Sequence, residues 1–171
     1  MSINKHLANA FLMLGLSLLL VACTGAIEDN ASSPASSGGV EGGIEVRNAQ
    51  ANMTLPTETG SFWMEIMNHG TADDALIGAS VDGCAVLELH DMVMEGDTMV
   101  MREVEGGQIP IPAGETVLLQ KGGLHVMCIG KEAPLEIGTT VEIALQFANA
   151  GKITATATVV EPGDAPMGQQ Q

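Results

Sequence analysis

Between Ile44 and Val160 apolar and polar residues alternate in short runs, each closed by Gly, Pro, Asn or Asp. A period of two marks a strand with one buried face, and the closing residues are those that turns require. The pattern predicts strands at Ile44–Ala49, Ser61–Met67, Ala75–Ser80, Ala85–Met92, Met99–Val104, Thr116–Gln120, His125–Ile129, Thr140–Phe147 and Lys152–Val160. Turns are expected at Asn68-His69-Gly70, Asp82-Gly83, Glu95-Gly96-Asp97, Ile111-Pro112-Ala113-Gly114 and Asn149-Ala150-Gly151. No segment sustains a helical period. Evenly spaced strands without intervening helices indicate an all-β antiparallel sandwich or barrel over residues 44–160.

The flanks read differently. Lys5 and His6 precede the apolar run Phe11 to Ala22, which is too short to span a bilayer and suits a secretory leader. Leu20-Val21-Ala22-Cys23 resembles a bacterial lipobox. That resemblance makes residues 1–22 a removable signal peptide and Cys23 the lipidated first residue of an extracytoplasmic, membrane-anchored protein; an ordinary signal with an incidental cysteine is the alternative. Residues 23–43 are rich in Ser, Gly and Ala and are expected to form a flexible tether, with a reach on the order of 25 Å. Glu161 to Gln171 is expected to be a disordered tail.

Twenty-one acidic residues face six basic ones, for a net charge of −15. This argues against a nucleic-acid partner, which needs clustered Lys and Arg. It is compatible with metal ions, or simply with solubility. With three Phe, one Trp and no Tyr, the core must be built from aliphatic residues and Met. No Gly-rich phosphate loop, Gly-x-Ser-x-Gly elbow or Cys-x-x-Cys pair is present, nor any readable nucleophile–base spacing, so the chain reads as a non-enzyme.

The chemistry concentrates between residues 90 and 127. Two His-x-Met units, His90-Asp91-Met92 and His125-Val126-Met127, bracket a run containing Met94, Met99 and Met101. On a strand, residues i and i+2 share a face. His90 therefore lies with Met92 and Glu88, His125 with Met127, and Met101 with Met99 and Glu103, whereas Cys128 points the opposite way. Imidazole with thioether is a soft donor set, and the first-row ion that accepts thioether is Cu(I). His90, Met101, His125 and Met127 are the candidate ligands. Met92 is a possible fifth, because its strand could end before it. A lone His-x-Met usually means nothing, since Met commonly fills core gaps; two units around a methionine run are a different matter. Met94 and Met99 are expected to be flanking or core residues, His69 a solvated turn residue, and Trp63, beside Phe62, core packing.

These residues resemble the periplasmic copper chaperones of the PCuAC type. Ten residues separate His90 from Met101, as in that family, and His125-Val126-Met127 matches its closing pair. Twenty-three residues separate Met101 from His125, two more than the family's usual spacing, and the excess falls naturally in the turn Glu105–Pro112. The resemblance covers about Ile44 to Val160. It implies a cupredoxin-like sandwich or Greek-key barrel that binds Cu(I) through His90, Met101, His125 and Met127. It also implies delivery of copper to the CuA site of respiratory oxidase, with cytochrome c oxidase subunit II or a thioredoxin-like assembly factor as partner. Some members carry a His- and Met-rich tail; here the tail has no His and only Met167.

Cys84 and Cys128 remain once Cys23 is lipidated. In an oxidising compartment such a pair suits a disulfide, two buried thiols being the alternative. A blue-copper redox protein is the second functional class, and it would need a Cys thiolate on the ligand face. A β-sandwich interaction module without metal is the third.

Overall fold

A computed structural model of the chain describes residues 37–41, 43–161 and 163. The leader, Cys23, most of the expected tether and nearly all of the tail lie outside the described residues. Eleven strands form in chain order: β1 (Ser37–Glu41), β2 (Ile44–Asn52), β3 (Thr59–Asn68), β4 (Asp74–Ser80), β5 (Cys84–Glu95), β6 (Thr98–Glu103), β7 (Ile109–Ile111), β8 (Thr116–Leu119), β9 (His125–Lys131), β10 (Thr140–Phe147) and β11 (Lys152–Val159). A short 3₁₀ turn, Glu105–Gly107, sits between β6 and β7. Among the described residues no helix is long and apolar enough to cross a membrane.

The strands make one sheet in the order β6-β5-β9-β3-β2-β11-β10-β4-β7, with β1 also pairing β2 and β8 also pairing β3. Every pairing is antiparallel except β11 with β2. Neighbours in the sheet are often distant in sequence, which is the Greek-key habit of β-sandwiches. The sheet folds over a single core. Phe62, Ile66, Leu76, Leu89, Ile111, Val126, Ile143, Leu145, Phe147 and Ile153 are all buried in one cluster. The alternation is plainest in the final hairpin, where Ile143 faces Ala155 and Leu145 faces Ile153 while Thr154 and Thr156 point outward.

Beyond shifts of one or two residues at strand ends, four features differ from the sequence reading, each for a local reason. The end of the expected tether is a strand, because β1 covers backbone groups of β2 that would otherwise be an open edge, from Ser37↔Arg47 to Glu41↔Ile44. β2 runs on past Ala49 because Asn48 (φ +51°) absorbs a bulge, shifting the inward set from Ile44 and Val46 to Ala49 and Ala51. Ile109–Ile111, read as part of a turn, pairs with β4 and buries both isoleucines. β5 continues to Glu95, so Met92 lies well inside it rather than beyond its end.

Two polar residues pin the loops. Asn68 is buried, and its amide donates to the carbonyls of Ala72 and Ile111 while its oxygen accepts from the Gly70 amide. Asp74 accepts from the amides of Ala75, Asn149 and Ala150 at 2.7–2.9 Å. Burial alone would raise its carboxyl, but the backbone donors outweigh it and hold the pKa below the ordinary value of 3.8. Its stabilisation is therefore complete above pH 3.8 and lost as pH falls through the lower folded value. Asp74→Ala strands three donors and is expected to cost about 2–4 kcal/mol at neutral pH. Thermal unfolding followed from pH 7 down to pH 3 should show the gap between variant and wild type closing at the acid end; a gap independent of pH would contradict this role.

Candidate metal centre

The centre is built on one face of β5 and its two neighbours. β5 and β9 place His90 directly opposite His125, and Glu88 opposite Met127. β5 and β6 place Met92 opposite Met101, and Met94 opposite Met99. β9 and β3 place Met127 opposite Ser61. Directly paired residues share a face, so one continuous surface carries both histidines and all five of these methionines. The opposite face of the same strands is core: Leu89 and Val126 are buried as a pair, and Cys128, opposite Leu87, is fully buried.

The β5–β6 hairpin that presents the methionines turns in two residues, Glu95 pairing with Thr98. Gly96 (φ +61°) supplies the left-handed backbone that such a tight turn demands.

The two imidazoles meet edge to face with ring centroids 5.8 Å apart. A metal takes an imidazole nitrogen at about 2 Å, so two rings sharing one ion keep their centroids within about 6 Å of each other. The pair satisfies that limit. Each ring also has one nitrogen committed to an acceptor. His125 donates Nδ1–H to the Gly123 carbonyl at 2.9 Å, and His90 donates Nε2–H to Glu88 at 2.9 Å. This fixes the tautomers, leaving lone pairs on His125 Nε2 and His90 Nδ1; metal-binding histidines are oriented by such outer partners. His90 Nδ1 is buried with no hydrogen-bond partner among the described residues. A buried acceptor left empty is costly, and a metal ion would satisfy it.

His125 is buried, and burial first, then the neighbouring His90, lowers its pKa below 6.5 despite the opposing Gly123 carbonyl and Asp91. At pH 7 it is a neutral ligand. The stability that depends on its neutrality is complete above pH 6.5 and is lost as pH falls below that value.

Beside the histidines lies an open cavity of about 320 Å³, lined by Trp63, Met92, Met99, Met101, Lys121 and His125 among others. Met127 does not line it. Its sulfur receives the hydroxyl of Ser61, which does line the cavity, at 3.8 Å, and in register Met127 lies across the histidine pair from Met92. The structure thus puts Met92 and Met101 together in the cavity, with Met127 beside it behind Ser61. Among the described residues no group of three or more His, Cys, Asp or Glu forms a metal cluster, so any ion held here leans on thioether sulfur.

Cys84 and Cys128 form a disulfide, with Cα atoms 5.7 Å apart. Cys84 lies opposite Lys131 in register and Cys128 opposite Leu87, so the bridge does not join directly paired positions. Gly130 (φ +68°) kinks β9 beside it, where any side chain would strike Ala85.

Met94 and Met99 are 60 and 39 % exposed and flank the histidines on the ligand face rather than lying in the core, because the hairpin projects beyond the sheet. One placement departs from expectation. Trp63 is buried but outside the main core cluster, walling the cavity instead; alternation hinted at this, since Phe62 and Trp63 must face opposite ways. His69 is exposed in its turn, as read, and also pairs with Glu45 at 2.7 Å.

Comparison with known proteins agrees with this architecture. Residues 44–159 match the LpqE-like family model, described as "Putative lipoprotein LpqE-like". "Putative lipoprotein Lxx21020" of Leifsonia xyli subsp. xyli (strain CTCB07) is 30% identical over 131 residues, covering 77% of this chain and 78% of that one. Among solved structures, the apo PCuAC domain from PmoF1 superposes with a TM-score of 0.62 at 21% identity, covering 73% of this chain and 99% of that domain. The copper-bound PCuAC domain from PmoF2 gives 0.61 at 21% identity, over 73% and 98%. The Cu(I) form of DR1885 from Deinococcus radiodurans gives 0.52 at 27% identity, over 67% and 77%. The chain belongs to the LpqE-like family, and its described domain has the PCuAC-type, cupredoxin-like fold.

Proposed function

We propose that this protein is an extracytoplasmic Cu(I) carrier, anchored by lipid at Cys23, that captures copper and passes it to respiratory oxidase assembly at the CuA site. The observation that carries the reading is the cross-strand pair His90–His125. It sits on a methionine-bearing face, with one nitrogen of each ring engaged and the other open. Copper is the cargo. His90 and His125 hold it, with Met101 and Met127 as the thioethers; Met92, facing Met101 in the cavity, can substitute for either.

The ligands suit a carrier outside the cytoplasm. All are neutral, so release leaves no buried charge behind, and thioethers form no disulfides there. Met101 is 45 % exposed and accessible to an incoming ligand, whereas His125 is buried and anchors the ion. Exchange would begin at the exposed sulfur and finish at the buried imidazole. The anchor and compartment are supported by lipobox-like Leu20-Val21-Ala22-Cys23 and by the relatives' description as lipoproteins. Delivery to cytochrome c oxidase subunit II, directly or through a thioredoxin-like factor, rests on the resemblance to PCuAC chaperones, and so does the absence of catalysis.

Trp63 offers a direct test. It is the only tryptophan in a chain with no tyrosine, and it walls the cavity. Titrating Cu(I) under anaerobic reducing conditions should quench its emission with a break at one equivalent. Emission unchanged while a competing Cu(I) chelator loses copper would place the ion elsewhere; a chelator that loses nothing would favour an interaction module.

A further inference from the structure

The five methionines of the site face are not equivalent. Met92 and Met101 form one cross-strand pair in the cavity, and Met94 and Met99 form the next pair along the same hairpin. Successive pairs on one face stand about 7 Å apart along the strand, and directly opposed Cβ atoms about 5 Å apart across it. The outer pair is exposed, Met94 at 60 % and Met99 at 39 %, so both sulfurs are open to an ion in solution. Met99 also lines the cavity that reaches His125, so the outer pair is continuous with the inner centre. The surrounding charge is acidic in sum: residues 88–105 hold six carboxylates (Glu88, Asp91, Glu95, Asp97, Glu103, Glu105) against Arg102, which pairs with Glu95, and Lys121 on the cavity wall.

We propose that Met94 and Met99 form a second, outer Cu(I) site, an entry and exit step that hands the ion to the histidine centre across the Met92–Met101 pair. This rests on the inner site binding copper as proposed above. Two thioethers alone hold Cu(I) weakly, which suits a step that must also let go. No electron or proton moves: one Cu–S bond forms at Met101 or Met92 as one breaks at Met99 or Met94, and the ion remains Cu(I).

The test is NMR of full domain labelled with ¹³C at the methionine methyls, titrated with Ag(I) as a diamagnetic stand-in for Cu(I) and repeated with Cu(I) under anaerobic conditions. The first equivalent should shift the Met101 and Met127 methyls, or those of Met101 and Met92. The second should shift Met94 and Met99 together. The near-isosteric variant Met94→Leu/Met99→Leu should keep the first equivalent, lose the second, and transfer copper to a chelator at least tenfold more slowly. Methyls of Met94 and Met99 that stay fixed through two equivalents, or a double variant with unchanged transfer rate, would overturn the outer site. Loss of the first equivalent with Met94 and Met99 still responding would instead overturn the inner site and leave the outer pair standing.

Discussion

Replacing His90 and His125 together by alanine is expected to weaken Cu(I) binding on the order of 1,000-fold, about 4 kcal/mol, while leaving the fold intact. The reason lies in the division of labour on the site face. The thioethers are exposed or half-buried, whereas the imidazoles are held by Glu88 and the Gly123 carbonyl before any ion arrives. Preorganised ligands lose little freedom on binding, so their removal costs more than that of a flexible neighbour. Folding should tolerate the change. His90 gives up one bond to the partly exposed Glu88 and its Nδ1 has no partner to lose, and His125 gives up a single bond to a carbonyl two residues away. Competition against a Cu(I) chelator measures the affinity and far-UV circular dichroism checks the fold. Affinity within threefold of wild type in a folded double variant would remove both histidines from the site.

Breaking the disulfide is expected to have the largest effect on stability and almost none on copper. Cys84 and Cys128 are 44 residues apart, and closing a loop of that length restricts the unfolded chain by about 4 kcal/mol in the chain-entropy model. Cys84→Ala/Cys128→Ala should therefore lower the denaturation midpoint sharply. Because the bridge lies on the core face of β9, behind the histidines, Cu(I) affinity measured well below the unfolding temperature should change by less than threefold. The same variant separates carrier from blue-copper protein. A blue-copper centre needs a thiolate, and both cysteines of the described residues are consumed in the bridge. An intense visible band on copper loading that the double variant abolishes would restore the redox reading.

Much of this was legible in the chain because strand alternation is a local property. It was enough to put His90 beside Met92, His125 beside Met127, and Cys128 on the reverse side. What could not be read was long-range pairing. Nothing local says that β5 lies between β6 and β9, or that His90 stands opposite His125 instead of one step away. A slip of one residue would have turned every ligand inward. The bulge at Asn48 and the pairing of Ile109–Ile111 were hidden for the same reason, since both depend on the partner strand. The outer partners of the histidines were equally invisible, as a loop carbonyl such as that of Gly123 leaves no trace in residue type. The length of β5 was underestimated because Met92-Val93-Met94-Glu95 has no strong β signature of its own; pairing with β6 makes it a strand, and that pairing brings Met92 into the centre.

The central claim is a Cu(I) ion held by two imidazoles and methionine sulfur, and X-ray absorption at the copper edge tests it most directly. The protein loaded with one equivalent of Cu(I) should show a Cu(I) edge with two nitrogen scatterers from His90 and His125 and a thioether sulfur shell. Met101→Leu should deplete the sulfur shell, and Met127→Leu and Met92→Leu in turn should show which of them supplies the remaining sulfur. A first shell of nitrogen and oxygen alone, or a sulfur shell that survives all three substitutions, would contradict it.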